Sequence, residues 1–91
     1  MHVLMIGQLT GKDFQHLLQE ENVFIAPLEA EGLVRDIFIK GDGSGPVLIL
    51  ADVTADQARE RFAAMPFIVH DIATFDFIEM DLPPAGLTTN Q

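Results

Sequence analysis

Cysteine is absent from the 91 residues, which excludes disulfides and thiolate metal sites and fits a reducing, cytoplasmic setting. Basic residues are few. Lys12, Arg35, Lys40, Arg59 and Arg61 are scattered along the chain, and the formal net charge is −9. With no basic patch to offset repulsion from phosphates, neither nucleic acid nor an anionic membrane surface is expected as a partner. No apolar run is long enough to span a bilayer. The apolar start, Met1 to Leu9, lacks the basic lead and small-residue cleavage site of a signal peptide, so none is expected. Tryptophan and tyrosine are missing, and the three histidines His2, His16 and His70 show no His-x-His or His-x-x-x-His spacing. No metal motif and no metal cofactor is therefore expected.

Hydrophobic residues make up 48% of the chain and charged residues 21%. That is oily for one small domain, which buries a modest fraction of its surface. The excess is read as surface meant for a partner, most simply a second copy. A single domain is expected over 1–84, followed by a tail over 85–91.

Val3-Leu4-Met5-Ile6, within His2 to Leu9, reads as a buried strand. Thr10-Gly11-Lys12-Asp13 turns into a helix, with Thr10 or Asp13 available as a cap. Phe14, Leu18, Ile25 and Leu28 then fall on one helical stripe, flanked by Leu17 and Phe24. Pro27 predicts a kink or break near Val23-Phe24, because an interior proline removes a hydrogen bond and crowds the preceding turn. Gly32 ends the helix. Val34 to Lys40 is a second strand and Gly41 to Gly45 a turn. That turn joins two antiparallel strands with no helix following, so it is a hairpin and not a phosphate loop. Val47 to Asp52 is apolar at almost every position, as in a central strand covered on both faces. Thr54 and Gln57 have the spacing of a capping box. The helix they open has Ala55, Ala58, Phe62 and Met65 on one face and closes at Pro66. A last strand runs from Ile72 to Leu82, and Pro83-Pro84 ends it.

The order is β-α-β-β-α-β, a ferredoxin-like α+β pattern: a four-stranded antiparallel sheet with both helices on one face. The doubly apolar third strand needs a cover on the other face. A second copy can supply it, which predicts a homodimer packed through its sheets.

Glu21 sits in the middle of the apolar stripe of the first helix. A carboxylate there must be paired, protonated or lining a cavity, which makes Glu21 the first candidate for a ligand pocket and for a general base. The competing reading has the helix broken at Pro27 and Glu21 in solvent. His70 beside Asp71 has the composition of an acid/base pair, but neighbours in extended chain point different ways, and a polar turn is the plainer reading. Arg35 is a candidate for binding a substrate carboxylate, or else pairs with Glu31 or Asp76 within the subunit or across the dimer. Asp76 faces either the dimer interior or a pocket. His16 reads as a surface residue, and His2 has no obvious partner.

The segments Glu31-Gly32-Leu33-Val34-Arg35-Asp36, Gly45-Pro46-Val47-Leu48-Ile49-Leu50, Ala58 to Pro66 and Phe75 to Leu82 resemble those of muconolactone isomerase-like proteins. These belong to the dimeric α/β-barrel superfamily, which also holds the YCII-related domains. The resemblance runs from about Glu20 to Pro83 and rests on packing and turn features. YCII-related domains carry a histidine eleven residues before the glycine that ends the first helix; here that glycine is Gly32 and the position is Glu21. Muconolactone isomerases have an acidic segment at this point of the helix. The resemblance implies a dimeric α/β barrel, or a larger ring of dimers, and a cofactor-free enzyme moving a proton on a small lactone or organic acid. The alternatives are a non-catalytic small-ligand-binding or assembly module, and a cofactor-free monooxygenase. The last would want Trp, Tyr or His around an aromatic substrate, and this chain has neither Trp nor Tyr.

Overall fold

The computed structural model describes residues 1–81. The expected strand end at Leu82, the Pro83-Pro84 stop, the domain boundary at 84 and the 85–91 tail lie outside the described residues. Four strands, β1 (His2–Leu9), β2 (Val34–Ile39), β3 (Pro46–Ala51) and β4 (Ala73–Met80), form one antiparallel sheet in the order β2-β3-β1-β4. Helix α1 (Leu18–Ala30) connects β1 to β2, and α2 (Ala55–Phe62) followed by a short α3 (Pro66–Val69) connects β3 to β4. This is the ferredoxin-like α+β arrangement that the element order predicts.

Pleating sorts the strand residues. Val3 lies opposite Leu50 and Glu79, and Met5 opposite Leu48 and Phe77. Val3, Met5, Leu48 and Leu50 are buried in one cluster with Ile25 and Leu28 of α1 and Ala58 and Phe62 of α2, so both helices cover the same face. Phe24 closes this layer edge-on against Phe62, with ring centroids 6.0 Å apart. A second cluster, Leu17, Phe67, Ile72 and Ala73, fills the end of the sheet where β4 begins. The opposite face, with Leu4, Ile6, Val47, Ile49 and Ile78, carries no helix; Leu4 faces Ile49 and Ile78 across its neighbours. It is only half-shielded, and Ile78 is 47% exposed.

Local chemistry explains the element ends. The Thr54–Gln57 capping box forms: the Gln57 N–H donates to Thr54 Oγ1 at 3.1 Å, and the Thr54 N–H donates to Gln57 Oε1 at 3.0 Å. The β2–β3 hairpin turns at Gly43, whose φ of +74° favours glycine. Asp42 Oδ1 accepts from the Ser44 N–H at 2.9 Å, and hydrogen bonding from Ser44 holds the Asp42 carboxyl below its ordinary value. Gly32, at φ +86°, follows the end of α1.

Three expectations are corrected. The first helix does not begin at Asp13: Gln15–Leu17 form a 3-10 turn, in which Asp13 Oδ1 accepts from the Gln15 N–H at 3.2 Å, and the α-helix starts at Leu18. The tighter turn shifts the phase, so Leu17 is buried while Leu18 is 38% exposed. The inward stripe is therefore Leu17, Glu21, Ile25 and Leu28. Pro27 does not break the helix, which runs unbroken from Leu18 to Ala30. The carbonyl deprived of a donor is that of Val23, which is 67% exposed, so water can satisfy it. Finally, the chain after Pro66 is not a plain connection but the helical turn α3, with Pro66 at its favoured first position.

Candidate functional site

Glu21 is 9% exposed and is the one charged side chain among the described residues that is buried. Its Oε1 accepts a hydrogen bond of 3.1 Å from the Phe67 backbone N–H. The donor has a structural origin. The first N–H groups of a helix have no partner within it, and α3 has no side-chain cap of its own. Glu21 reaches across from α1 and supplies the acceptor. Among the described residues no other group is hydrogen-bonded to this carboxyl, and Oε2 has no partner among them. Burial raises the Glu21 pKa above its ordinary value, and the Phe67 hydrogen bond opposes part of that rise.

Glu21 lines a cleft of about 390 Å³ between α1 and the β2–β3 hairpin, within the usual range for small-molecule sites. Its walls are apolar: Leu18, Ile25 and Ala26 from α1, Ile37 and Ile39 from β2, Pro46 and Leu48 from β3, together with Met65 and Phe67. Among the described residues, Asn22 and Glu29 are the other polar side chains lining it, and no Lys, Arg or His does so. Two larger depressions exist. One, of about 460 Å³, lies between the end of α1 and α2 and is bordered by Glu31, Asp52, Gln57, Glu60 and Arg61. The other, of about 600 Å³, is bordered by His16, Glu20 and His70. Their named polar residues are all exposed, so neither desolvates a reacting group as the Glu21 cleft does.

The remaining sequence candidates lie elsewhere. His70 ends α3 and is exposed; Asp71, its neighbour, pairs instead with Lys12 at 3.4 Å. Asp71 has φ +57°, a left-handed turn conformation that Asp tolerates. His70 shares its depression with His16, as surface residues. Within the subunit, neither Glu31 nor Asp76 is the partner of Arg35 among the described residues. Glu31 bonds to Arg61 at 2.6 Å, while Arg35 lies 3.8 Å from Asp36 and 3.2 Å from His2 Nε2. His2 thus has a partner that the linear sequence did not reveal. Asp76 is exposed on the helix-free face, opposite Ile6. Glu21 is therefore not brought together with His70, Arg35 or Asp76. Among the described residues no three His, Asp or Glu side chains are grouped to hold a metal ion, and no helix is long and apolar enough to cross a membrane.

Sequence reasoning missed Asn22, the Phe67 amide and the Ile37–Ile39 wall. The one available signal was Pro66, which marks a helix start whose following N–H groups need acceptors. Comparisons of the chain with protein-family models and with curated proteins give no match.

Proposed function

We propose that the Glu21 cleft binds a small, largely apolar molecule and that Glu21 moves a proton on it, as in a cofactor-free, muconolactone isomerase-like reaction. The observation that carries this reading is a buried carboxyl of raised proton affinity on the wall of an apolar cleft. Such a group is matched to taking a proton from carbon next to a carbonyl and giving it back at another carbon. One carboxyl suffices if both positions lie on the same side of the substrate: the C–H bond breaks to Glu21, the electron pair shifts into the enolate, and the proton returns to the far carbon. Nothing is oxidised and nothing leaves. Asn22 also lines the cleft, and in this reading its amide donates to the enolate oxygen. The absence of a cation from the cleft favours a neutral lactone over a free carboxylate.

The second reading is a non-catalytic ligand-binding or assembly module. It is favoured by the hydrogen bond to Phe67, which gives Glu21 a structural task without chemistry. The deciding experiment incubates the protein with a simple butenolide in D₂O and follows deuterium entry at the ring carbons by NMR. The proton-transfer reading expects exchange above buffer that is lost in Glu21→Gln, since glutamine keeps the acceptor for Phe67 but not the base. Exchange at the buffer rate in the wild type would leave the binding module.

We also propose a cytoplasmic homodimer, or a ring of such dimers, packed through the helix-free faces. Support comes from the lack of cysteine and from the row of Leu4, Ile6, Val47, Ile49 and Ile78 on that face.

A further inference from the structure

β2 is an edge strand, and three consecutive large apolar residues stand in the open along it. Ile37, Phe38 and Ile39 are 44, 55 and 67% exposed. An edge of this kind templates further strand pairing unless something blocks it. Its free hydrogen-bonding groups can be assigned. The Lys40 N–H donates to the Gly45 carbonyl at 2.9 Å and the Lys40 carbonyl accepts from the Gly43 N–H at 2.8 Å, so the backbone of Lys40 faces β3. Alternation then turns the backbone of Phe38 toward β3 and those of Ile37 and Ile39 outward. Pro46 opposite Ile39 agrees, since it has no N–H to donate there. The bulge between Val34 and Asp36 disturbs the other end of the strand.

A strand added antiparallel must set outward-facing residues opposite one another. For a second copy of β2 this leaves registers centred on Ile37, Phe38 or Ile39. Centred on Phe38, Ile37 opposes Ile39, Phe38 opposes itself and Asp36 opposes Lys40. Twofold symmetry makes two Asp36–Lys40 pairs on one face and two isoleucine pairs on the other. Centred on Ile37, Asp36 would oppose Phe38; centred on Ile39, Lys40 would oppose Phe38. Neither of these pairs charges.

We infer that β2 docks a second copy of this chain through an antiparallel β2–β2 pair centred on Phe38, which joins two sheets into one across a twofold axis. Charges beside an edge usually block pairing. Here they are opposite in sign and equidistant from Phe38, so they attract in self-pairing: Lys40 exchanges its 3.3 Å bond to Gln8 Oε1, and Asp36 its 3.8 Å contact with Arg35, for the new pair, which an unrelated strand would not match. This interface uses the edge of the sheet and so differs from the face-to-face packing proposed above, which it adjoins: Asp36 and Phe38 stand opposite Ile49 and Val47 on the helix-free face. Since Ile37 and Ile39 also line the Glu21 cleft, the pairing sets Ile39 of one copy beside Ile37 of the other at that wall.

The lack of cysteine makes the register readable. Phe38→Cys, Ile37→Cys and Ile39→Cys are oxidised under mild conditions at micromolar protein, with circular dichroism checking that each is folded. Position 38 opposes itself as a pair not hydrogen-bonded across the new interface, with Cβ atoms about 4.5–5.5 Å apart, near the disulfide range. Phe38→Cys should cross-link about tenfold faster than the other two, whose sulfurs oppose isoleucine. Adding Lys40→Asp should slow it about tenfold by setting Asp against Asp, and Asp36→Lys with Lys40→Asp should restore it. Ile37→Cys or Ile39→Cys cross-linking as fast as Phe38→Cys overturns the register. Slow cross-linking at all three positions, indifference to Lys40→Asp, or failure of the double exchange overturns the interface.

Discussion

The Phe67 amide donates to Glu21 Oε1 over 3.1 Å and joins segments 46 residues apart in the chain. One bond thus ties the start of α3 to the centre of α1 and fixes the carboxyl at the cleft wall. The two sides of the bond have different demands. The amide needs an acceptor of any charge, whereas the carboxyl is strained by burial only when ionised.

That difference sets the behaviour of Glu21 variants. In the fold the pKa of Glu21 is raised, so the folded chain holds this proton more tightly than the unfolded chain does. Its contribution to stability is fully present below the ordinary carboxyl pKa and is lost as pH rises through the raised value. Glu21→Gln keeps the acceptor and has no proton to lose, so its gain in melting temperature over wild type should be larger at neutral than at acidic pH. Glu21→Leu removes the acceptor, and the orphaned Phe67 N–H costs about 1–3 kcal/mol, offset in part by the added apolar contact. Thermal melts at both pH values check this. Identical profiles for wild type and Glu21→Gln would remove Glu21 as a buried acid.

The face-to-face assembly predicts a mass of at least twice 10.0 kDa by light scattering at micromolar concentration. Ile49→Asp, in the middle of the helix-free face, should weaken that association tenfold or more, at about 1.4 kcal/mol per tenfold. The measurement is made in a Lys40→Asp background so that edge pairing does not contribute. Association unchanged by Ile49→Asp would place the contact elsewhere.

Gly45 is closed to any larger residue. A Cβ there would collide with the carbonyl of Gly7 on the neighbouring strand, and backbone cannot move aside as a side chain can. Gly45→Ala should destabilise by about 1–3 kcal/mol or more, read from urea unfolding. An equally built Gly41→Ala, which meets nothing within 4 Å, should change stability far less. Equal effects would show that the hairpin approach is looser than described.

The net charge of −9 predicts no binding to DNA or RNA at physiological salt, measured by fluorescence anisotropy with labelled duplex and single strand. A salt-sensitive micromolar affinity would contradict it.

Much of the architecture follows from short-range signals. Alternating and continuous apolar runs mark the strands, Thr54 and Gln57 cap α2, and Gly32 and the Gly41–Gly45 segment sit at turns, because each depends on neighbours a few residues away. An inward-facing Glu21 was one of two readings the sequence offered, since the periodicity of Ile25 and Leu28 carries it inward only if the helix runs unbroken past Pro27, as it does. Other features depended on distant chain. The 3-10 turn exchanged Leu18 for Leu17 at the core, and solvent at Val23 let the helix pass Pro27. The partners of Glu21, Arg35 and His2 come from Phe67, Asp36 and one another, and the contacts to Phe67 and His2 bridge separate elements. Such contacts are decided by how the elements stack, because a side chain takes the partner within reach in space. Sequence alone determined that an acid interrupts the apolar stripe of the first helix; only the tertiary structure decided that it is buried, caps α3 and borders a cleft walled by the β2–β3 hairpin.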